Sequence, residues 1–218
     1  MATSGTYSWN PDIAEFSDEA WERCGIDPVT LVSKHIRSAR MSLNLLFSGW
    51  AARGNHNYAV DEQTQTLTDS APDYTAATGT LAILGGVIRR SGIDTPVRAI
   101  SLEVYQQIPD KTIEGLPTVV FFDRKALTYY LWSEPENSTD VFRYWRLRRT
   151  QDVTAATETA DVDYLWFEAL ASGLAAKLAL KFAPTRVGKL EAAAEKAFVE
   201  AQLADRERTG TTFSMRGI

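Results

Sequence analysis

Side chains that could act as acids, bases, nucleophiles or metal ligands are scattered along this sequence. The two histidines, His35 and His56, are far apart, and neither lies at a zinc-binding spacing from the one cysteine, Cys24. The sequence has no Gly-x-Ser-x-Gly turn to present a nucleophilic serine, and no Gly-rich loop of a phosphate-binding type. We therefore expect no catalytic residue, metal site or cofactor. His35 is predicted to be a packed side chain, and Cys24 a part-buried helix residue.

Two pairs of carboxylates leave one enzymatic alternative open. Glu134 and Glu136 flank a proline in a polar loop, and Asp161 and Asp163 precede a helical pattern. A glycosidase places two carboxyl groups beside the bond that it cleaves, so a hydrolase of cell-wall glycan is an alternative. Solvated loop charges and helix N-cap charges explain the same residues more simply.

A basic run makes a small nucleic-acid- or peptide-binding module another alternative. Arg146, Arg148 and Arg149 lie next to the aromatic pair Tyr144-Trp145. The whole chain nevertheless has a net charge of −5, whereas gripping phosphates requires a clustered basic surface. We expect these arginines to pair with nearby acidic side chains instead.

Composition limits the class of protein. Hydrophobic residues make up 44 % and charged residues 23 % of the 218 residues, which is typical of a soluble globular protein. The apolar runs are shorter than a membrane span, and the first residues lack the basic and apolar regions of a signal peptide. We therefore expect no contact with a membrane.

The stretch 115–149 predicts the centre of the fold. Its three runs of aromatic and β-branched residues, separated by short polar turns, predict a three-stranded antiparallel meander. The three runs cover 119–124, 127–132 and 141–149. Phe142 and Tyr144 are expected on the apolar face of this sheet, which helices must cover.

Shorter β signals precede the predicted meander. Gly85-Gly86 interrupts one of them and indicates a bulge or bend, because no helix start follows it to make a phosphate cradle. A loop is predicted over 70–79, and a short helix capped by Ser101 is predicted over 102–108. The predicted strands are 57–68, 81–90 and 97–100.

Helical periodicity begins near the N-terminus. A short helix is predicted over 18–24, capped by Ser17 and stopped by Gly25. Asp27-Pro28 predicts the start of a second helix, about 40 Å long, that runs to Ala52. The predicted apolar stripe of this helix is Val32, Ile36, Ala39, Leu43, Leu46 and Trp50.

Two further helices are predicted beyond the β region, with Pro184 between them. They cover 161–183, capped by Asp161 or Asp163, and 186–208, and a short connection makes them an antiparallel hairpin. The predicted core row of the first is Trp166, Leu170, Leu174 and Leu178, beside the small residues Ala169, Gly173 and Ala176. Small residues allow a neighbouring helix to approach closely.

Together these elements predict a single domain with an α+β fold: a bundle of long helices, an inserted antiparallel β meander and an extended C-terminal arm. The predicted parts are 11–54 for the N-terminal helices, 55–153 for the β-rich region, 161–208 for the helical hairpin and 209–218 for the arm.

The arm has too few apolar residues to make a core. We predict that it becomes ordered on a partner protein, with a frayed end as the alternative. The predicted binding residues are Phe213, Met215, Arg216 and Ile218.

An ordered series of short motifs covers about half of the chain, mostly beyond Ile100. The motifs are Pro109-Asp110-Lys111-Thr112, Gly115-Leu116-Pro117-Thr118, Phe122-Asp123-Arg124, Leu131-Trp132-Ser133-Glu134-Pro135, Tyr144-Trp145-Arg146, Asp152-Val153, Leu165-Trp166 with Ala169-Leu170, and Asp205-Arg206-Glu207-Arg208. In order and spacing they resemble the head-to-tail adaptor proteins of short-tailed bacteriophages, also called portal-adaptor or tail tubular proteins. The last residues of the chain differ from the Arg- and Pro-richer ends of some members.

The resemblance implies a structural protein of the virion, located between head and tail and made in the cytoplasm of a bacterial host. It implies about twelve copies in a ring below the portal protein. This ring would extend the DNA channel and hold a tail tube or nozzle protein, and the partner of the arm would be the portal protein or a neighbouring subunit. Viral DNA would pass through the ring without sequence-specific binding. The net charge of −5 is in keeping with an acidic or neutral lumen.

Overall fold

The computed structural model describes residues 3–54 and 57–206, which form two compact units. The β unit is continuous in sequence, from Ala59 to Arg149. The helical unit combines the residues up to Tyr58 with those from Thr150 onward. Helices and strands are thus segregated along the chain, and the predicted α+β class is confirmed.

Helices account for most of the helical unit. In the described ranges the α-helices are α1 (Ile13–Cys24), α2 (Ser33–Ala52), α3 (Leu102–Gln106), α4 (Phe167–Phe182) and α5 (Val187–Ala204). Of these, α3 belongs to the β unit. Within the same ranges, no helix has the length and apolarity needed to cross a membrane.

Helix α1 begins at Ile13, earlier than the predicted start at Asp18. The carboxylate of Asp12 accepts a hydrogen bond from the Glu15 amide at 2.9 Å, and the Glu15 carboxylate accepts one from the Asp12 amide at 3.0 Å. This reciprocal capping box satisfies amides that the first helical turn leaves free, so Ser17 is not the cap. The helix ends, as predicted, at Gly25, whose φ of 77° is the left-handed conformation that glycine adopts readily.

Helix α2 is shorter than the sequence predicts. Asp27 does cap a turn, because its carboxylate accepts a hydrogen bond from the Val29 amide at 2.9 Å, but this turn is a 3₁₀ helix that ends at Thr30. The backbone is extended at Val32, and α2 starts only at Ser33. Its length is therefore about 30 Å, and a bundle of long helices is the part of the predicted fold that is not confirmed.

The apolar core of the helical unit surrounds α4. Leu170, Leu174 and Leu178 are fully buried, as predicted, and so are Leu43 and Trp50 from the predicted stripe of α2. The first two residues of that stripe, Val32 and Ile36, are exposed instead.

A small residue of α4 allows α2 to come close. A Cβ added to Gly173 would lie 2.9 Å from both terminal methyl carbons of Leu46 on α2, which confirms the predicted close helix approach. The helix itself starts later than predicted, because residues 164–166 form a 3₁₀ turn before Phe167.

The β unit contains one large sheet. Its strands are β1 (Val60–Thr66), β2 (Asp73–Thr75), β3 (Thr80–Arg90), β4 (Ile93–Ile100), β5 (Glu114–Gly115), β6 (Val119–Asp123), β7 (Thr128–Trp132), β8 (Glu134–Pro135) and β9 (Val141–Arg148). Seven of them form a sheet in the order β1-β9-β3-β4-β6-β7-β2, and β5 pairs with β8 separately. The region 70–79, predicted as loop, thus contributes the edge strand β2.

The predicted meander is only partly correct. Strands β6 and β7 form the predicted antiparallel hairpin, but β9 does not continue it and pairs with β1 and β3 instead. Strand β4 pairs with β6 in parallel, with α3 in the connection between them. The sheet curls so that Tyr129 of β7 contacts Phe142 and Tyr144 of β9, with ring centroids 5.7 and 5.3 Å apart. The expected burial of Phe142 and Tyr144 is therefore confirmed.

The glycine pair in β3 marks the predicted irregularity. The register against β9 shifts between Ile83 and Gly85, and Gly85 has a φ of 135°. Gly86 lies so close to β9 that a Cβ at this position would meet the carbonyl oxygen of Arg143. The pair therefore serves strand packing, as a bulge does.

Candidate interaction surface

Arg146, from the basic run, is buried and acts inside the β unit. Its guanidinium donates hydrogen bonds to the Asp61 carboxylate at 2.6 and 3.1 Å, to the Thr80 hydroxyl at 2.9 Å and to the carbonyls of Ala77 and Thr78. Burial alone would raise the pKa of Asp61, but the hydrogen bonds from Arg146 bring this pKa below its usual value. The predicted pairing of these arginines with acids is confirmed for Arg146.

We expect Arg146→Gln to destabilise the β unit by about 3 kcal/mol, because Asp61 and two carbonyls would lose a charged donor. The measurement is the free energy of unfolding in urea. Arg124→Gln, the same change in the exposed turn between β6 and β7, is the matched control and should cost less than about 0.5 kcal/mol. Equal losses for the two variants would contradict a structural role for Arg146.

Two of the four carboxylates considered for glycan hydrolysis, Glu136 and Asp161, make structural contacts through their side chains. Glu136 forms an ion pair with Arg90 at 2.5 Å, and Arg90 also binds the fully buried Asp140 at 2.7 Å. Asp161 accepts a hydrogen bond from the amide of Gln151 at 2.9 Å. These contacts give Glu136 and Asp161 structural roles in their loops.

His35 and Cys24 are packed residues. The imidazole Nδ1 of His35 accepts a hydrogen bond from the Val32 amide at 3.2 Å, and its ring lies edge-on to Trp21 and Phe182. The thiol of Cys24 is buried and donates to the Ala175 carbonyl at 3.4 Å, and burial raises its pKa. His56 lies outside the described residues. Within them, no group of three His, Cys, Asp or Glu side chains is arranged to hold a metal ion.

A serine–lysine contact connects α2 and α4. Lys181 of α4 donates to the hydroxyl of Ser42 on α2 at 2.7 Å and to that of Ser38 at 3.1 Å. Some hydrolases use a Ser-Lys pair, but there the lysine is desolvated, whereas Lys181 is exposed. The contact joins two helices of the core.

An open groove of about 620 Å³ lies between α1 and the start of α4. Trp9, 66 % exposed, stands edge-on to Tyr164 and Phe167, with ring centroids 6.3 and 5.7 Å apart. Tyr164 is itself 64 % exposed. We call this feature the aromatic groove, with walls formed by Trp9, Pro11, Phe16, Tyr164, Leu165 and Phe167. Exposed aromatic rings gathered around a concavity are typical of a protein-binding surface.

Acidic side chains lie in and beside the aromatic groove: Glu15, Glu19 and Glu168 line it, and Asp18 and Glu22 lie next to them on α1. The outward positions of α1 are all acidic and exposed, and Glu168 of α4 joins them. We call this set the acidic rim: Glu15, Asp18, Glu19, Glu22 and Glu168.

One cation sits within the acidic rim. Arg23 binds Glu19 at 2.7 Å and Glu168 at 2.6 Å, and its hydrogen bonds lower the pKa of Glu168. Five carboxylates against this one guanidinium leave the rim negative.

A second exposed surface lies on α2. Lys34, Arg37, Met41 and Leu45 recur at helical spacing on the outward side of this helix, and we call them the α2 stripe. Met41 is 61 % and Leu45 is 53 % exposed. The sequence of α2 contains lysine and arginine but no acidic residue, so the stripe is both basic and apolar.

The arm residues predicted to bind a partner, Phe213, Met215, Arg216 and Ile218, lie outside the described residues. The aromatic groove and the acidic rim combine residues of α1 with residues at the start of α4, two segments that are far apart in sequence.

Comparison of the sequence with protein-family models and with curated proteins gave no match.

Proposed function

We propose that this chain is a structural virion protein, a head-to-tail adaptor that assembles as a ring beneath a portal protein. The observation that carries the proposal is the presence of two chemically different exposed surfaces on the helical unit. One is the aromatic groove with its acidic rim, and the other is the basic and apolar α2 stripe. A subunit of a closed ring uses two different surfaces, one toward each neighbour.

The motif series supports the same function. Its members fall in both units. Several lie on the β6–β7 hairpin and on β9. Leu165-Trp166 lies in the turn before α4, and Ala169-Leu170 lies in α4 itself. By this proposal about twelve copies extend the DNA channel and present an attachment site for a tail tube or nozzle protein. Viral DNA passes through the lumen without sequence-specific contacts, as suits a chain with a net charge of −5.

The two alternatives receive less support from side-chain contacts. For a glycan hydrolase, the carboxylates Glu136 and Asp161 are already engaged by Arg90 and by the Gln151 amide. For a nucleic-acid-binding module, Arg146 is buried and bound to Asp61. These contacts favour the structural function.

The experiment is co-expression of the chain with the portal protein encoded in the same genome, followed by affinity purification and electron microscopy. We expect a ring of this chain stacked coaxially on the portal ring. The portal protein of an unrelated long-tailed phage is the control and should not bind. A genome without a portal gene, or a portal that purifies without this chain, would contradict the proposal.

A further inference from the structure

We infer that the α2 stripe of one copy binds the aromatic groove and acidic rim of a second copy. This inference rests on the proposed ring and names the contact between its subunits. The occupant of the groove is thus another molecule of the same chain, presented through Lys34, Arg37, Met41 and Leu45.

Charge is the first observation that supports this contact. The groove and its rim carry exposed carboxylates, among them Glu19 and Glu22, and the stripe carries Lys34 and Arg37 on a helix without an acidic residue. Opposite charges attract across an interface, and like charges disfavour pairing with the wrong surface. Rim-to-rim or stripe-to-stripe pairing would place like charges together. The charges therefore favour a contact between the rim of one copy and the stripe of another over either like-charged pairing.

Apolar surface is the second observation. Met41 and Leu45 lie one turn apart on α2 and project from it, while Trp9 and Tyr164 leave more than half of their surface exposed at the groove. A methionine thioether is flexible and packs favourably against aromatic rings. Both partners would thus bury apolar side chains at the centre of a contact whose edge is charged, which is the usual anatomy of a protein interface.

The test is a charge exchange, measured by sedimentation velocity on the full chain at low ionic strength. The stripe variant is Lys34→Glu with Arg37→Glu, and the rim variant is Glu19→Lys with Glu22→Lys. We expect each to raise the dissociation constant for self-association by roughly tenfold or more, because attraction becomes repulsion. The chain that carries all four substitutions should associate again, since its two surfaces are once more opposite in charge.

The matched control is Lys189→Glu with Lys196→Glu on α5, which changes net charge as much as the stripe variant does but leaves both surfaces intact. It should associate like the parent. Melting curves confirm that every variant is folded, and Glu22→Lys alone replaces the rim variant if the pair does not fold. Three results would each overturn the inference. They are a parent chain that is monomeric at low ionic strength, a control that self-associates as weakly as the stripe variant, and a fourfold variant that does not regain self-association.

The outcomes separate this contact from the adaptor function. Self-association that depends on the charge exchange, in a chain that does not bind portal, would reject the adaptor function and leave the contact standing. Rings on portal that neither the stripe variant nor the rim variant weakens would reject the contact and leave the adaptor function standing.

Discussion

Replacing Leu174 by aspartate is expected to unfold the helical unit. Leu174 is 1 % exposed on α4 and shares its core with Leu43 of α2 and Trp21 of α1. The substitution removes a buried leucine and places a carboxylate where it has no partner, which together cost about 5 kcal/mol or more. That is comparable to the whole stability of a typical domain.

The measurement is a thermal melt followed by circular dichroism and tryptophan fluorescence. Leu180→Asp is the matched control, because it makes the same change on the same helix at a side chain that is 60 % exposed. We expect the control to melt close to the parent temperature. A cooperative melt of Leu174→Asp at that temperature would show that the core has been assigned to the wrong face of α4.

The second large effect is expected for Gly86→Ala in β3. The added Cβ would meet the carbonyl oxygen of Arg143, a ring carbon of Phe142 at 2.7 Å and the Cα of Tyr144 at 2.9 Å. The backbone of β9 cannot move aside without breaking its hydrogen bonds to the neighbouring strands. We therefore expect a loss of about 2–4 kcal/mol in the free energy of unfolding, and separation of β3 from β9 at this point.

Urea unfolding, with amide hydrogen exchange of β3 and β9, measures this effect. Gly188→Ala is the control, because the space around its Cβ is empty and α5 continues through the position. Alanine favours a helix over glycine, so this variant should be unchanged or slightly more stable. If Gly86→Ala keeps both the parental stability and slow exchange in β3, the close approach of β9 is wrong.

Elements defined by neighbouring residues could be predicted from the sequence. The β6–β7 hairpin has a local cause, because the Asp123 carboxylate accepts hydrogen bonds from the amides of Lys125 and Ala126 within the turn. The partners of β9 have no local cause: Val60 and Leu147 face each other across β1 and β9 but are far apart in sequence. Strand composition shows that a strand exists and does not show which strand lies beside it.

The helix starts illustrate the same limit at shorter range. The spacing of Asp12 and Glu15 matches a capping box, which indicates a start of α1 earlier than the predicted Asp18. The break before α2 has no comparable signal. There the Val32 amide donates to the side chain of His35, which is not one of the usual capping residues. Because the sequence shows no other start signal after Asp27-Pro28, it predicts a longer helix than the one that forms.

The candidate surface was predictable in part. The acidic positions of α1 recur at helical spacing in the sequence, and so do the positions of the α2 stripe. The aromatic groove was not predictable, because Trp9 and Tyr164 meet only when α1 packs against α4.

The division of the helical unit into two distant segments determines when it can fold during synthesis. Helices α1 and α2 leave the ribosome before the residues from Ala59 to Arg149, and α4 follows only after them. At about 5–20 residues per second, Leu43 and Trp50 wait on the order of ten seconds for the helix that covers them. The β unit needs no such wait, since it is complete once Arg149 has emerged. The nascent chain therefore carries a finished β unit next to two uncovered amphipathic helices, which are the segment that a ribosome-associated chaperone would bind.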